Sequence, residues 1–289
     1  MPDLPDTQLP VTVIVPAKNE EGGIGACLSR LGRFARVVVV DSRSADRTPE
    51  IAREHGAEVL DFEWDGQFPK KRNWALRTLD IDTEWVLLLD ADELVTEAFC
   101  DELADRLGAE ARDGYWLTYD DYFLGVPLRH GDRMRKLALV RSGHGEYEHI
   151  AEDGWSKLDM EVHEHVVVDG SVDAINASLI HRDVRSIGQY VERHDEYAAW
   201  EAARYQALRD SDDWAELTLR QRIKYRVMGS YAMGPCYFAY SYILKLGFLD
   251  GRAGLAYSVA KMIYFLQVAL RIRAASVESA SADADDPTV

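Results

Sequence analysis

The sequence predicts an α/β protein built on a doubly wound sheet, and three observations carry that expectation. Short apolar runs recur at residues 11–15, 36–41, 57–61 and 85–89, the length of buried strands rather than of helices. Helical patterns separate them, so the N-terminal part reads β-α-β-α-β-α-β, the alternation of a parallel sheet with helical crossovers. Three of the runs also end in polar or acidic groups: Pro16-Ala17-Lys18-Asn19-Glu20, Asp41-Ser42-Arg43-Ser44 and Asp90-Ala91-Asp92. Such a sheet gathers its ligands at the carboxyl ends of its strands.

Each element has a local reason. Residues 11–15 are apolar and close on Pro16, and Ile24, Cys27, Leu28 and Leu31 then recur at helical spacing. Val37-Val38-Val39-Val40 is continuous, as expected of a strand buried on both faces. Thr48 as N-cap, with Pro49 at the first helical position, starts the second helix, and Gly56 stops it. A helix at residues 69–79 leads into the run Trp85 to Leu89, and residues 96–107 place Phe99, Leu103 and Leu107 on one helical face. From Gly114 the pattern turns strand-like, at 115–123, 137–141, 162–168 and 174–180. From Ser186 it becomes helical and aromatic. Residues 277–289 are rich in Ser, Ala and Asp and are expected to be disordered. The organisation expected is therefore a sheet domain at 1–185 (a ligand half at 1–110, a second half at 111–185), a helical region at 186–276 and a tail at 277–289.

Composition narrows the function. A net charge of −17 opposes general nucleic-acid binding, which needs a basic footprint. Hydrophobic content of 47% suffices for a large core. The three cysteines, Cys27, Cys100 and Cys236, are scattered through apolar patterns and read as reduced core residues of a cytosolic protein. Residues 1–10 show no basic stretch followed by an apolar one, so no secretory signal is expected.

The chemistry concentrates at Asp90-Ala91-Asp92-Glu93. On an extended chain Asp90 and Asp92 share a face, and paired carboxylates at a sheet edge suit a divalent cation carrying a diphosphate. Asp41 offers an acceptor for the imide N–H of uracil or another base's donor, and Lys71 or Arg72 offers positive charge for phosphate. No Gly-x-Gly-x-x-Gly follows the first strand and no P-loop is present, which disfavours dinucleotide dehydrogenases and P-loop enzymes.

Val13-Ile-Val-Pro-Ala-Lys-Asn-Glu20, Val39-Val-Asp-Ser-Arg-Ser-Ala-Asp-Arg-Thr48, Lys71-Arg-Asn-Trp-Ala-Leu76 and Trp85-Val-Leu-Leu-Leu-Asp-Ala-Asp-Glu93 together resemble family 2 glycosyltransferases. The resemblance implies a GT-A fold and transfer from a nucleotide-diphosphate sugar, a UDP-sugar being favoured, with inversion at the anomeric carbon. Val162-His-Glu-His165 and Leu246-Gly-Phe-Leu-Asp-Gly-Arg-Ala-Gly254 are similar to the subgroup of lipopolysaccharide-core β-1,4-glucosyltransferases. By resemblance, Pro16, Ala17, Asn19 and Glu20 line the nucleoside pocket and Asp41 faces the base. Arg72, with Lys71, lies near base or phosphate. Asp90 approaches ribose or metal, and Asp92 binds the metal, Mn2+ or Mg2+. An inverting transfer needs a base opposite the leaving nucleotide. Glu164 is the choice from the acceptor half, with Asp120, Asp121 and Asp153 as rivals. His181 is the candidate third metal ligand and His163 its competitor.

Residues 255–270 are apolar but short and interrupted by Lys261, which favours an interfacial helix over a membrane span. With the Tyr/Phe/Met-rich segment 225–250 it suits peripheral contact with the inner face of the cell membrane, near a lipid-linked or envelope glycan acceptor. The alternatives are a sugar-nucleotide pyrophosphorylase, for which Gly22-Gly23 is a poor activating loop, and a non-catalytic nucleotide- or glycan-binding scaffold.

Overall fold

The computed structural model describes residues 8–109, 112–152, 155–161, 164–182, 186–209, 214 and 217–284. In chain order the elements are β1 (Leu9–Ala17), α1 (Ile24–Leu28), β2 (Phe34–Asp41), α2 (Thr48–Glu54), β3 (Glu58–Asp61), α3 (Lys71–Thr78), β4 (Trp85–Leu88), β5 (Glu93–Leu94), α4 (Glu97–Ala109), β6 (Gly114–Phe123), β7 (Val126–Leu128) and β8 (Arg135–Arg141). There follow β9 (Gly145–Tyr147), β10 (Val166–Val168), β11 (Val172–Ala174), β12 (Leu179–Arg182), α5 (Ile187–Arg209), α6 (Leu219–Met228), α7 (Met233–Phe238) and α8 (Gly251–Ala284). They fall into two compact units, residues 1–127 with 133–184 and residues 128–132 with 185–289.

In the first unit the sheet runs β3-β2-β1-β4-β8-β6-β12-β5. The first four strands are parallel, and β8 pairs antiparallel with both β4 and β6. This is a mixed α/β sheet, as the resemblance to family 2 glycosyltransferases implies. Register carries the consequence for function: Ala17 pairs with Asp41, Asp41 with Asp61, and Ile14 with Leu88. The ends of β1, β2 and β4 therefore emerge along one edge. Burial explains the continuous apolar runs, because Val11, Val13, Ile14, Val15, Val38, Val39, Val40, Leu87 and Leu89 are all sealed from solvent by helices on both faces.

Several expected boundaries move. The 174–180 segment is two strands, β11 and β12, both parallel to β6 but at different points along it. The 162–168 strand is confined to Val166–Val168, so Glu164 precedes it, while Val162 and His163 lie outside the described residues. Helix α2 begins at Thr48, its proposed cap, and Arg47 takes the cap position. Asp46 receives the Thr48 N–H at 3.0 Å, and the Thr48 hydroxyl instead accepts the Glu20 N–H at 2.7 Å, tying α2 to the loop after β1.

The second unit is helical. Ala198, Leu208, Tyr225, Met228, Tyr264, Val268 and Ile272 form its core, joining α5, α6 and α8. A Cβ on Gly234 of α7 would meet the Met262 carbonyl oxygen at 2.7 Å, so glycine is what lets α7 and α8 pack closely. Helix α8 is longer than expected and runs to Ala284, through most of the segment read as disordered. Ser and Ala-rich sequence extends a helix that is already nucleated at little cost. Within this part of the chain, residues Gly247–Val277 are long and apolar enough to cross a membrane by length and composition.

Candidate functional site

The loop after β1 and the loop after β2 clasp each other. The Asn19 N–H donates to the Ser44 hydroxyl at 2.8 Å, and the Asn19 side-chain oxygen accepts the Ala45 N–H at 2.8 Å. Asn19 holds this position with φ 57°, in the left-handed region that asparagine tolerates better than most residues. Asp41 is buried, and its two oxygens accept from the Ser44 N–H at 2.8 Å and the Ser44 hydroxyl at 2.5 Å. A carboxylate so held keeps lone pairs for a further donor while its orientation is fixed. Pro16 and Ala17 are buried at the end of β1, whereas Glu20 is partly exposed.

Helix α3 brings two cations beneath this edge. Lys71 is 1% exposed and donates to the Ala17 carbonyl at 3.2 Å, with Asp159 at 3.5 Å. Burial is the largest influence on it and lowers its pKa. Arg72 donates from its guanidinium to Asp90 and to the Glu161 carbonyl. The Glu161 carboxylate in turn caps the start of α3, accepting the Arg72 and Asn73 N–H groups at 3.0 Å each.

Asp90 is thus not an open ligand. Besides Arg72 it accepts from Lys136 on β8 at 2.6 Å, and Lys136 also reaches Glu93 at 2.5 Å. Burial alone would raise the Asp90 pKa, but Arg72 and Lys136 outweigh it and hold the carboxyl well below the usual range. For Glu93 the balance reverses: burial dominates, the Asp90 charge adds to it, and the pKa rises despite Lys136.

Asp92 has a different neighbourhood. Strand β12 runs antiparallel to β5 and parallel to β6, so His181 sits opposite both Glu93 and Asp121. Its Nε2 lies 3.7 Å from Asp92 Oδ2 and its Nδ1 3.0 Å from Asp121 Oδ1. Burial would lower the imidazole's pKa, but the two carboxylates push it up to about 10. Asp92 and His181 are the two expected metal ligands that the fold brings face to face. Among the described residues no three ligating side chains form a ready-made cage. The pair fits a divalent ion that takes its remaining ligands from substrate phosphates and water, as magnesium sites commonly do.

Glu164 lines a separate small pocket, together with Trp64, Phe68, Lys70, Ile150 and Glu152. Lys70 lies 2.8 Å from Glu164 and 2.5 Å from Glu152, and all three side chains are at most 7% exposed. Burial acts to raise both carboxyls. Lys70 and a hydrogen bond from Glu152 reverse the effect at Glu164 and hold its pKa low, while Glu152, donating to Glu164, has its pKa raised. Of the rivals, Asp120 is half-exposed and paired with Arg133, Asp121 is spent on His181 and the Met134 N–H, and Asp153 lies outside the described residues.

Sequence reasoning missed Lys70, Lys136, Glu152 and Glu161. Lys136 had one legible sign, a charge immediately before the apolar run Leu137-Ala138-Leu139-Val140. The acidic residues of the 148–164 stretch follow no period, and their pairing with α3 is purely tertiary.

Residues 12–165 match the family described as glycosyl transferase family 2. The chain is 27% identical over 208 residues to the lipopolysaccharide core biosynthesis glycosyltransferase LpsC of Rhizobium meliloti, covering 68% of this chain and 71% of that protein. It is 26% identical over 199 residues to an uncharacterized glycosyltransferase of Rickettsia typhi, covering 66% of each. The chain thus spans about two thirds of the length of these curated relatives. Among solved structures, the mannosyltransferase PcManGT of Pyrobaculum calidifontis, in complex with GDP-Man and Mn2+, aligns over 93% of this chain and 88% of its own at 17% identity and a TM-score of 0.45.

Proposed function

The chain belongs to glycosyl transferase family 2, and from that premise we propose that it is a metal-dependent, inverting hexosyltransferase using a nucleotide-diphosphate sugar. A UDP-sugar is the favoured donor, and a lipid-linked or cell-envelope glycan the acceptor. The observation that carries this reading is the meeting of Asp92 and His181 beside the Arg72–Asp90–Lys136 cluster, at the edge where the parallel strands end. Mn2+ or Mg2+ held there would neutralise diphosphate charge as the sugar leaves. To serve as a ligand, His181 would have to lose its Nε2 proton, while the imidazole would keep its Nδ1 proton and donate it to Asp121. Asp41 and the residues Pro16, Ala17, Asn19 and Glu20 bind the nucleoside. Lys71 and Arg72 set the charge behind it, and Arg72 holds Asp90 toward the ribose or the metal.

Glu164 is the proposed base. Its carboxylate takes the acceptor hydroxyl's proton while that oxygen forms a bond to the anomeric carbon; the bond from that carbon to the diphosphate oxygen breaks and the electron pair leaves with the nucleotide. Lys70 and Glu152 keep Glu164 ionised and pointed into its cavity. Support for location at the inner face of the cell membrane comes from the likeness to LpsC, a lipopolysaccharide core biosynthesis glycosyltransferase, and from apolar side chains on the helical unit, such as Leu244 and Leu249, that meet solvent.

Incubation with a panel of nucleotide sugars and manganese tests the reading through slow donor hydrolysis. The variant Glu164→Gln is expected to retain donor affinity while transfer falls about a hundredfold. Because Glu164 is held below its ordinary pKa, wild-type turnover should stay level on the acidic side until pH falls below about 4.5, the unperturbed range of a glutamate. Normal turnover in the variant removes Glu164 from the mechanism.

A further inference from the structure

Helix α6 is unlike the rest of this acidic chain. Its ten residues, Leu-Arg-Gln-Arg-Ile-Lys-Tyr-Arg-Val-Met, contain four basic side chains and no acidic one, in a protein of net charge −17. One face is anchored: Tyr225 and Met228 are buried in the core of the helical unit. The opposite face is apolar and bare. Leu219, Ile223 and Val227 follow one another at four-residue spacing, 74%, 56% and 42% exposed, so they form a single stripe along the helix. Arg222 and Arg226 are exposed beside that stripe. Arg222 also donates to the Leu217 carbonyl at 2.8 Å, and Lys224 is paired with Glu201 at 2.6 Å. The helix is also preformed, closed at its start by a capping box between Thr218 and Gln221. Docking therefore requires no coupled folding.

We propose that α6 is the segment that seats this protein on an anionic lipid surface, with Leu219, Ile223 and Val227 entering the acyl boundary and Arg222 and Arg226 meeting headgroup phosphates. This rests on the membrane reading above and names the surface responsible. Charge complementarity selects the occupant. A chain with this net charge is repelled by anionic lipid everywhere except at a locally basic face, and α6 joins such a face to an exposed apolar stripe, the signature of an interfacial helix.

Flotation of the full chain with vesicles of phosphatidylcholine containing phosphatidylglycerol tests the proposal, alongside phosphatidylcholine alone. Wild type is expected to float with the anionic vesicles and to be released by salt. The triple variant L219S/I223S/V227S should bind at least tenfold more weakly, with its melting temperature retained because these side chains meet solvent. The single variant R226Q should lose about fivefold, the effect of one basic residue near such a surface, and it guards against misfolding of the triple. Equal flotation of wild type and both variants overturns the role of α6 while leaving membrane association through another segment. Failure of wild type to float overturns the membrane reading itself. Equal retention of wild type on polyglutamate and on the vesicles would point to an acidic protein surface and overturn the lipid assignment.

Discussion

Replacing Lys70 by methionine removes a cation that lies between Glu152 and Glu164. The three side chains are 7%, 5% and 2% exposed, so solvent does little to screen the two carboxyls left behind. Losing one partner of a buried ion pair typically costs about 3–5 kcal/mol, because the remaining charge stays desolvated. For a unit of this size that corresponds to a fall in melting temperature on the order of 10 °C. The cost has a definite pH dependence. In the wild type Glu164 is depressed, so its contribution is complete above the unfolded glutamate pKa and is lost as pH falls through the folded value. Without Lys70 both carboxyls are raised, so the variant gains relative stability as pH drops toward 4.5 and they protonate. Guanidinium titrations at pH 7 and pH 5 measure both effects, with an unchanged m-value confirming that the folded state is comparable. The double variant Lys70→Met/Glu164→Gln should recover much of the loss, since one neutral amide then replaces one buried charge. A Lys70→Met cost below about 1 kcal/mol, or strict additivity in the double variant, would refute the claim that Lys70 is what holds Glu164 ionised.

Two further outcomes follow from the sheet edge. Asp92→Asn and His181→Ala should each weaken manganese-dependent binding of a UDP-sugar by at least tenfold in calorimetry, while binding without metal changes little; unchanged metal dependence in both would reject the site. Asp90→Asn should destabilise the first unit by about 2 kcal/mol at pH 7, less than a fully buried pair because 27% of the Asp90 side chain meets solvent. That difference should be complete above about pH 3.8 and be lost progressively as pH falls from there toward the depressed folded pKa; thermal melts across pH 2–7 display the decline.

A test of membrane association by deleting the chain after Gly247 is not clean, since α8 supplies Tyr264, Val268 and Ile272 to the core of the helical unit. Substitutions on exposed faces separate surface contact from packing.

The sequence alone determined the strand order in time and the chemistry at strand ends, because both are local. A run such as Val37-Val38-Val39-Val40 is apolar at every position whatever lies beside it, and the carboxylates of Asp41, Asp90 and Asp92 follow their strands directly in the chain. Family membership was legible for the same reason, through four short motifs. Which charges meet was decided only by tertiary structure. Asp90 and Asp92 are two residues apart and share a face on paper, yet one is taken by Arg72 and Lys136 and the other faces His181. The partners come from α3, β8 and β12, and nothing in a local pattern specifies the register that sets His181 opposite Asp121. Glu164 follows the metal motif in the chain, but its low pKa depends on Lys70, 94 residues earlier. A pKa reflects the three-dimensional sum of burial and charge, and that sum exists only once the chain has folded.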